Sequence, residues 1–437
     1  MEGHSTPTAE FLFDYSKYKM ATSVQEMVRP GECDDLYYYD GANNVKQCWA
    51  TTQNTKFVQQ FANLTGGSSV FTIPPQNGIQ DVVLSFQMAQ FTASSDSSIA
   101  LPQGWGYALI KQVSFRYGGS SQYFLSGDQI LQNALRRQTS RTSVDDVVNL
   151  GGNYAVNSAA TGQWAAAAQN AYVVLTLPHN IPSGVGKAHP FPTDLLTQQV
   201  QITVELYSPF SIVAAATGGA TTPTAANVSL ASANFQVQQV MLNNQGDALA
   251  RRVDMATNAY AFPCEFVQQV QRINLVSSAS VQPVVLTGFR SGEVKAIHCW
   301  LTNSADTTSN PLRWYQPTNI QMLYAGDIYA RYDLGVSQLF NLINGNKVSA
   351  FDGQVVTSGG GVFTNTGTLA YWTELPFAQT FVDEDAHHVL VHGKPITNGI
   401  VNLQIQTPTA ASTWVLNVSY VYNSTLLMSQ GTADFVF

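Results

Sequence analysis

The stretch ALIKQVSFRYGG, residues 108–119, predicts a β-strand that runs directly into a turn of paired glycines. PTNIQMLYAG, residues 317–326, has the same outline, and Tyr117 and Tyr324 hold matching places that are 207 residues apart. Each stretch is followed after a few residues by a short helical pattern. This order of strand, glycine turn and helix does not follow from composition alone. It therefore indicates that a larger unit occurs twice in the chain.

Four further matches occur in the same order along the sequence, with offsets between 180 and 209 residues. They are FVQQ from Phe57 and again from Phe266, LTLP from Leu175 with TELP from Thr373, PTDLLTQQVQIT from Pro192 with PITNGIVNLQIQ from Pro395, and FQVQQVMLNN from Phe235 with VLNVSYVYNS from Val415. The first pair predicts that Phe57 and Phe266 are equivalent, and the glycine turns predict the same of Gly119 and Gly326. A chance likeness between β-rich segments would not keep this order.

The helical pattern of the first unit covers Ser126–Arg137, with Ser126 placed to cap it. One face carries its apolar residues, which are Ile130, Leu131, Ala134 and Leu135. The pattern of the second unit is shorter and covers Val336–Ile343. Helices are few otherwise, so they are expected only as short pieces in the connections between strands.

Short strands with alternating apolar residues, bounded by Gly, Pro, Asn and Ser, fill both units. Gln198–Tyr207 is one such strand, and its apolar face is made of Val200, Ile202, Val204 and Leu206. A unit near 200 residues with about eight strands is typical of a jelly roll. The sequence therefore predicts an all-β chain of two tandem eight-stranded jelly-roll β-sandwiches, a double jelly roll, with short helices in the connections.

The repeat divides the chain of 437 residues into three expected segments, a length that suits two cores better than one. Residues 1–45 form an N-terminal arm, which mixes aromatic and acidic residues without a core period. Residues 46–250 form the first roll and residues 251–437 the second. Residues 211–232 are rich in Ala, Thr and Gly and are expected to be a loop insertion in the first roll, which explains the drop in offset to 180.

The chain has few charges, with 11% charged residues against a usual share of about a quarter. A polar but nearly uncharged surface suits a protein that is largely covered by copies of itself. The net charge of -8 and the lack of a basic stripe argue against direct, sequence-specific nucleic-acid binding. The densest basic stretch, Arg136, Arg137 and Arg141, is followed by Asp145 and Asp146, so we expect a solvated or inter-subunit surface there.

No pair among Cys33, Cys48, Cys264 and Cys299 has Cys-x-x-Cys spacing, which argues against a zinc site. Four cysteines in 437 residues are also too few for a disulfide scaffold. We expect reduced thiols in a protein made in the cytosol. The first twenty residues lack an apolar core of signal-peptide length, and no apolar run approaches a membrane span. The protein is therefore expected not to be secreted, and the sequons at Asn63, Asn227, Asn417 and Asn423 are not expected to carry sugar.

Catalytic motifs are weak throughout. Asp383–His392 gathers acids and histidines, but it is typical of an exposed loop leading into a strand, where His388 and His392 share a face and His387 does not. The glycines at 118–119 lack a phosphate-loop setting, and Ser358–Gly361 lacks that of a nucleophile elbow. We therefore expect no catalytic, cofactor-binding or metal-binding residues and no cofactor. Two alternatives are a carbohydrate-binding β-sandwich and a glycoside hydrolase with two carboxylates across a cleft.

Three stretches carry a resemblance to a known family: the strand and helix from residue 108, the crossing ANFQVQQVMLNNQGDALARR with NAYAFPCEFVQQVQ (233–252 and 258–271), and the end WVLNVSYVYNSTLLMSQGTADFVF (414–437). They resemble double jelly-roll major capsid proteins, most of all those of polinton-like viruses and virophages. The wider group includes nucleocytoplasmic large DNA viruses and tailless phages. The resemblance covers everything after the arm, which matches nothing in this family.

The resemblance implies a structural subunit of an icosahedral DNA virus shell rather than an enzyme. Three chains would form a homotrimer, and their six rolls a pseudo-hexameric capsomer. The implied partners are neighbouring capsomers, penton proteins and minor capsid proteins. The implied location is the virion, after synthesis in the host cell cytoplasm, and an internal membrane is left open.

Overall fold

The structure of the chain is a computed structural model. It describes residues 55–75, 78–90, 99–118, 122–136, 141–153, 155–157, 168–175, 177, 191–215, 228–240, 259–276, 280–303, 314–315, 317–333, 356–358, 361–363, 372–377, 394–398, 400–408 and 413–437. The expected arm at 1–45 and the crossing near residue 250 lie outside these residues, so the segment boundaries stay predictions.

The first roll consists of two four-stranded antiparallel sheets, with strands numbered along the chain. One sheet has the order β1 (Thr55–Gln60), β11 (Leu230–Val240), β3 (Gly78–Met88) and β8 (Gln169–Leu175). The other has the order β2 (Gly67–Ile73), β9 (Val200–Leu206), β5 (Ile110–Tyr117) and β6 (Gln122–Ser126). A small sheet is added by β10 (Ala214–Ala215), β4 (Ile99–Leu101) and β7 (Ala155–Asn157).

The second roll repeats this plan. One sheet has the order β12 (Tyr260–Val267), β23 (Trp414–Ser429), β15 (Glu293–Asn303) and β20 (Trp372–Pro376), and the other has β14 (Gln282–Val285), β22 (Val401–Gln406), β16 (Asn319–Tyr324) and β17 (Asp327–Asp333). β13 (Gln271–Leu275) and β24 (Thr432–Val436) also pair with β23, and β21 (Lys394–Pro395) pairs with β15. A separate hairpin joins β18 (Val356–Ser358) to β19 (Gly361–Phe363).

Both rolls have the strand order of a jelly roll. Of the eight principal strands of each roll, the first, eighth, third and sixth form one sheet, and the second, seventh, fourth and fifth form the other. The two predicted jelly rolls are therefore confirmed. Within the described residues, no helix is long and apolar enough to cross a membrane.

The registers of the two rolls match at the end of the fourth strand. Tyr117 is paired with Val200, and Tyr324 is paired with Val401. The predicted equivalence of the tyrosines is confirmed at this level. The match from Pro192 and Pro395 was off by two residues, because it aligned Val200 with Leu403. A two-residue slip keeps every side chain on its face, so the alternating pattern does not reveal it.

The other predicted equivalences can be followed only in part. Phe57 and Phe266 both lie on the first strand of their rolls, β1 and β12, as predicted. Gly326 has φ +93° in the turn between β16 and β17, whereas Gly119 lies outside the described residues. Strand β9 confirms the alternation predicted for it, because Val200, Ile202, Val204 and Leu206 are all buried.

The chain contains three short α-helices in the described residues: α1 (Trp105–Leu109), α2 (Gly127–Arg136) and α3 (Arg141–Leu150). Helix α2 confirms the predicted helix and cap. Ser126 Oγ accepts a hydrogen bond from the Gln129 N–H (3.3 Å), and the Ser126 N–H donates to Gln129 Oε1 (3.0 Å). This reciprocal pair is a capping box. Ile130, Leu131 and Leu135 are buried. The helix predicted at Val336–Ile343 lies outside the described residues.

The predicted insertion at 211–232 was partly wrong. Ala214–Ala215 form β10, which pairs with β4, and Leu230–Ser232 already belong to β11. Ala and Ser have little preference for strands, so the pattern hides the pairing. Residues 216–227 lie outside the described residues. The connection from β9 to β11 nevertheless spans 207–229, whereas that from β22 to β23 spans only 407–413, as the repeat predicts.

Candidate functional site

The groups weighed for chemistry do not come together in the described part of the chain. Asp383–His392 lies outside it. Gly118 follows β5 with φ +63°, and Ser358 pairs with Gly361 to close the β18–β19 hairpin. Among the described residues, no three His, Cys, Asp or Glu side chains are grouped so that they could hold a metal ion.

Two of the four cysteines are described, and both are buried free thiols, Cys264 and Cys299. Burial raises the pKa of Cys264 to about 12 and that of Cys299 still higher. A thiol that does not ionise near neutral pH is a poor nucleophile and a poor metal ligand. These two cysteines therefore act as small core residues, and the prediction of reduced thiols is confirmed for them. Cys33 and Cys48 lie outside the described residues.

The central strands of the second roll are buried on both faces. Asn417 and Ser419 of β23 point away from the core to which Leu416 and Val418 belong, yet all four side chains are buried. On β15, His298 stands opposite Ser419 and is fully buried as well. Outward residues of an antiparallel sandwich usually meet water. Another part of the chain must therefore cover this sheet face.

Helix α2 of the first roll covers part of that face. Gln129 Nε2 donates hydrogen bonds to Ser419 Oγ (2.9 Å) and to the Gln268 carbonyl (2.8 Å). Ser419 Oγ in turn donates to the same carbonyl (2.8 Å). Because Gln129 also completes the capping box, one side chain both starts α2 and attaches it to the second roll.

The close approach of α2 to α1 depends on a glycine at its first position. A Cβ atom at Gly127 would lie 2.2 Å from the Tyr107 carbonyl oxygen and 2.4 Å from that of Ile110. Backbone atoms cannot move aside as a flexible side chain can. Gly127 therefore fixes how α2 is seated when it reaches the second roll.

Aromatic side chains form a second contact between the rolls. Tyr123 of β6 lies 5.0 Å from Phe266 and 5.5 Å from Phe435, measured between ring centroids. Its hydroxyl accepts a hydrogen bond from the Val267 N–H (3.3 Å). Such ring pairs contribute about 0.5–1.5 kcal/mol beyond their buried area. The contact joins a strand of the first roll to the first and last strands of the second.

The turn between β23 and β24 is a third contact. The Thr197 N–H and Oγ1 both donate to the Gly431 carbonyl, at 2.9 Å and 3.0 Å. Gly431 has φ +79°, and a Cβ atom there would meet the Thr197 side chain at 2.3 Å. Three separate contacts thus fix the orientation of one roll on the other.

The three contacts together form what we call the joint between the rolls. A cavity of about 410 Å³ lies at this joint. Its floor is the outward face of the second roll and includes Arg272, Asn274, Thr302 and Asn417. Its roof comes from the first roll and includes Tyr107, Lys111 and Asp128. Burial raises the pKa of the Asp128 carboxyl to about 7, although Arg272 and the indoles of Trp314 and Trp300 act in the opposite sense.

The corresponding sheet of the first roll has an outward face without charge in its central rows. One row across the strands is Val58, Gln236, Val83 and Val174, and the next is Gln60, Asn234, Ser85 and Tyr172. We call these eight residues the neutral face. Val58, Tyr172 and Val174 are among the exposed large hydrophobic side chains of the chain.

Sequence reasoning did not find the joint, since its partners are far apart in the chain. One sequence feature did point to it. The sequence of β15, EVKAIHCWLTN, lacks the alternation of apolar and polar residues that a strand with one solvent-exposed face shows, and its residues 294–302 are all buried in the structure. Strands buried on both faces have such sequences. The predicted basic surface cannot be followed, because the side chains of Arg136, Arg137 and Arg141 lie outside what the structure describes.

No family model matches the chain, and no curated protein matches it. Solved structures do. The chain is similar to the VP54 protein of the virus PBCV-1, as fitted into a reconstruction of the virophage Sputnik: the TM-score is 0.57 at 13% identity, over 89% of this chain and 98% of that one. The chain is also similar to the mavirus major capsid protein, with a TM-score of 0.51 at 13% identity, over 91% of this chain and 92% of that one.

The Faustovirus major capsid protein gives a TM-score of 0.51 at 11% identity, over 90% of this chain and 92% of that one. Identity this low shows the fold rather than the function. Because each match covers nearly the whole of both chains, the shared feature is the arrangement of two successive rolls and not a single sandwich. In fold, the chain is a double jelly roll of the kind found in these viral capsid proteins.

Proposed function

We propose that this chain is the major capsid protein of an icosahedral DNA virus, a structural subunit and not an enzyme. The observation that carries the proposal is the joint, in which two rolls of identical strand order are held together by hydrogen bonds and aromatic contacts. A shell subunit needs such a stiff pair. The similarity to capsid proteins of PBCV-1, mavirus and Faustovirus over nearly their whole length supports the same function.

Three chains form a capsomer with six similar rolls, and capsomers tile the shell together with penton and minor proteins. The low charge supports this arrangement, because closely packed copies with few charges do not repel one another. The proposed location is the virion, after synthesis in the host cell cytoplasm. The absence of charge from the neutral face also argues against nucleic acid as the partner of that surface.

The carbohydrate-binding alternative is not favoured. Sugar-binding sandwiches stack exposed aromatic rings on the ligand, and tryptophan is the best ring for this purpose. The four tryptophans whose side chains the structure describes are all fully buried: Trp105, Trp300, Trp314 and Trp414. They stabilise the cores and are not available to a sugar.

The test is to express the whole chain and measure its mass in solution by light scattering after size exclusion, followed by negative-stain microscopy. We expect particles of three chains, each of 47.4 kDa, with a hexagonal outline, which assemble into shells at higher concentration. A chain that stays monomeric at every concentration, and never forms shells, would overturn the proposal.

A further inference from the structure

The cavity at the joint is built from both rolls and is open to solvent on one side. Its volume of about 410 Å³ lies in the range of about 300–1,000 Å³ that is common for small-molecule sites. Arg272 and Asn274 in its wall are exposed, whereas Tyr107, Thr302 and Asn417 are buried. A small molecule that enters from solvent therefore contacts both rolls.

The cavity walls offer hydrogen-bond donors that the chain itself does not use. Tyr107 is only 3% exposed, yet its hydroxyl has no hydrogen-bond partner among the described residues, and burial raises its pKa, so the oxygen keeps its proton. On the opposite wall, the Arg272 guanidinium makes no ion pair or hydrogen bond within the described part of the chain. A guanidinium has five N–H donors and no acceptor. These groups suit a ligand that is rich in acceptor oxygens.

The charge of the cavity walls also favours an anion. Lys111 and Arg272 are the cations of the lining, and Asp128 is the only acid among the residues that line it. Lys111 is paired at 2.7 Å with Glu205, which is not part of the lining. Burial raises the pKa of Asp128 to about 7, so below that pH the carboxyl is mostly neutral and can donate a hydrogen bond. The positive charge of Arg272 is then uncompensated.

Helix α2 begins at this cavity. Ser126, which caps the helix, and Gly127 and Asp128, which begin it, all line the cavity. The start of a helix carries a partial positive charge and backbone N–H groups without partners in the helix, and it therefore favours oxyanions. A helix start, an unpaired arginine and a buried tyrosine hydroxyl thus meet in the walls of one cavity.

We propose that the cavity at the joint binds a small organic oxyanion, whose carboxylate or phosphate group is held by Arg272, Tyr107 and the start of α2. The rest of the molecule lies against Asn274 and Thr302 of the second roll. Because the ligand touches both rolls, its binding stabilises the state in which they are joined. The site lies within one chain, so this proposal does not depend on the proposed function.

The probes are benzoate and benzenesulfonate, which have the same body and differ in having a planar or a tetrahedral anionic group. Both keep a single negative charge between about pH 6 and 8. Binding to the whole chain is measured by saturation-transfer NMR, which detects weak ligands of large proteins, at about pH 6 and constant ionic strength. We expect saturable binding of at least one probe. The tighter probe shows whether the site prefers a carboxylate or a phosphate-like group.

The decisive variants remove one donor each. Arg272→Gln should weaken binding about tenfold or more, because a hydrogen-bonded charge is lost. Tyr107→Phe keeps the buried ring and should weaken binding about threefold to tenfold without lowering the stability of the chain, since the hydroxyl has no partner there. The matched control is Arg116→Gln, an equal change of charge at an exposed residue of β5 outside the cavity lining. It should bind like the wild type.

Asp128 provides a second measurement, through pH. Its neutral carboxyl can donate to the ligand, whereas its ionised form repels an anion, so the affinity of the wild type should fall as the pH rises through about 7. Asp128→Asn stays neutral, so its affinity should not change between about pH 6 and 8. The other titratable side chains of the lining include no histidine and no carboxyl; they are Tyr107, Lys111, Tyr207 and Arg272. His298 of β15 is not part of the lining, and it is common to both proteins.

The outcomes decide the proposal in either direction. Saturable binding that Arg272→Gln and Tyr107→Phe weaken, and that Arg116→Gln leaves unchanged, supports it. Absence of saturable binding for both probes at about pH 6 overturns it. An equal loss of affinity in the two arginine variants also overturns it, because the effect would then come from net charge rather than from the cavity. A chain that never forms trimers contradicts only the proposed function.

Discussion

Gln129 of the first roll donates a hydrogen bond of 2.9 Å to Ser419 of the second roll, across 290 residues of sequence. Both side chains are buried, and both also donate to the Gln268 carbonyl. Apolar surfaces pack in many orientations, whereas a buried amide is satisfied in few. We therefore regard the hydrogen bonds of Gln129 as the most selective of the three contacts that fix the relative orientation of the two rolls.

Replacing Gln129 with Ala should weaken the joint and the start of α2 together. The variant loses the hydrogen bonds to Ser419 and Gln268 and half of the capping box, which together cost about 1–3 kcal/mol of unfolding free energy. The matched control is Gln103→Ala, since Gln103 donates a 2.9 Å bond to Asn149 at the surface. It should cost about 0.5 kcal/mol or less. Urea titrations measure both, and equal losses would contradict the role assigned to Gln129.

The local pattern of the sequence predicts each roll but not how the rolls meet. The alternation in β9 and the capping residues Ser126 and Gln129 depend only on near neighbours, so both could be predicted. The predicted equivalence of Val200 and Leu403 was wrong by two residues, because a shift by an even number of residues leaves the alternation of apolar and polar positions intact. The match of Phe235 with Val415 identified equivalent strands, but Phe235 is buried whereas Val415 is only half-buried, so its register was wrong as well.

The joint could not be predicted because its energy comes from contacts between distant segments. Nothing in the sequence distinguishes Tyr123 and Phe435 from other aromatic core residues. Asp128 looks like an ordinary acidic residue in the first turn of a helix. Their surroundings follow only from the orientation of the rolls. The continuous burial of β15 was the one feature of the joint that a sequence pattern reflected.

Lys295→Met should destabilise the second roll strongly. Lys295 Nζ is hydrogen-bonded to Glu265, and both side chains are buried. Removing the lysine leaves a buried carboxylate without its cation, which typically costs about 3–5 kcal/mol. The control is Lys111→Met, whose partner Glu205 lies 2.7 Å away at the exposed rim, where a pair contributes about 0–1 kcal/mol.

Thermal and urea unfolding compare the two lysine variants. A loss for Lys295→Met no larger than that for Lys111→Met would contradict the assignment of the Glu265 pair as the more important one. The double variant Lys295→Met with Glu265→Gln should recover much of the stability, because no buried charge is then left uncompensated.

The stability of the chain should depend on pH through Asp128. Its pKa is raised from 3.8 to about 7 by burial, so between these values the folded state holds a proton that the unfolded state has already lost. This contribution to stability is complete below about pH 4 and is lost as the pH rises through 7. The loss is at most about 1.4 kcal/mol per pH unit.

Asp128→Asn removes this titration. The difference in unfolding free energy between the variant and the wild type should therefore grow in favour of the variant between about pH 5 and 7. A difference for Asp128→Asn that does not change with pH would show that Asp128 titrates as an ordinary carboxyl.

The predicted insertion at 211–232 should tolerate replacement only in the residues between β10 and β11. Exchanging residues 216–227 for a Gly/Ser linker of equal length keeps β10 and all of β11, so the trimer should remain folded. Deleting all of 211–232 removes the β10–β4 pairing and the first residues of β11. We expect that deletion to give little soluble protein. Soluble trimers from it would show that β10 is dispensable.

The contacts within the proposed trimer should withstand high salt. Only 11% of the residues are charged, so the contacts between chains should depend on apolar burial and neutral hydrogen bonds. Salt screens exposed ion pairs, with a Debye length of about 3 Å at 1 M, but it does not weaken apolar burial. Obligate interfaces of this kind commonly bury about 2,000 Å² or more. Trimers should therefore keep their mass from low to molar sodium chloride.

Contacts between trimers are expected to respond to salt in the opposite way. We expect the acids of the arm, Glu32, Asp34 and Asp35, to meet the arginines Arg136, Arg137 and Arg141 between neighbouring capsomers. The positions of these side chains lie outside the described residues. Shells should then dissociate into trimers as salt rises, while the trimers persist. Light scattering across the salt series measures both steps. Trimers that fall to monomers in molar sodium chloride would mean that ion pairs hold the three chains together.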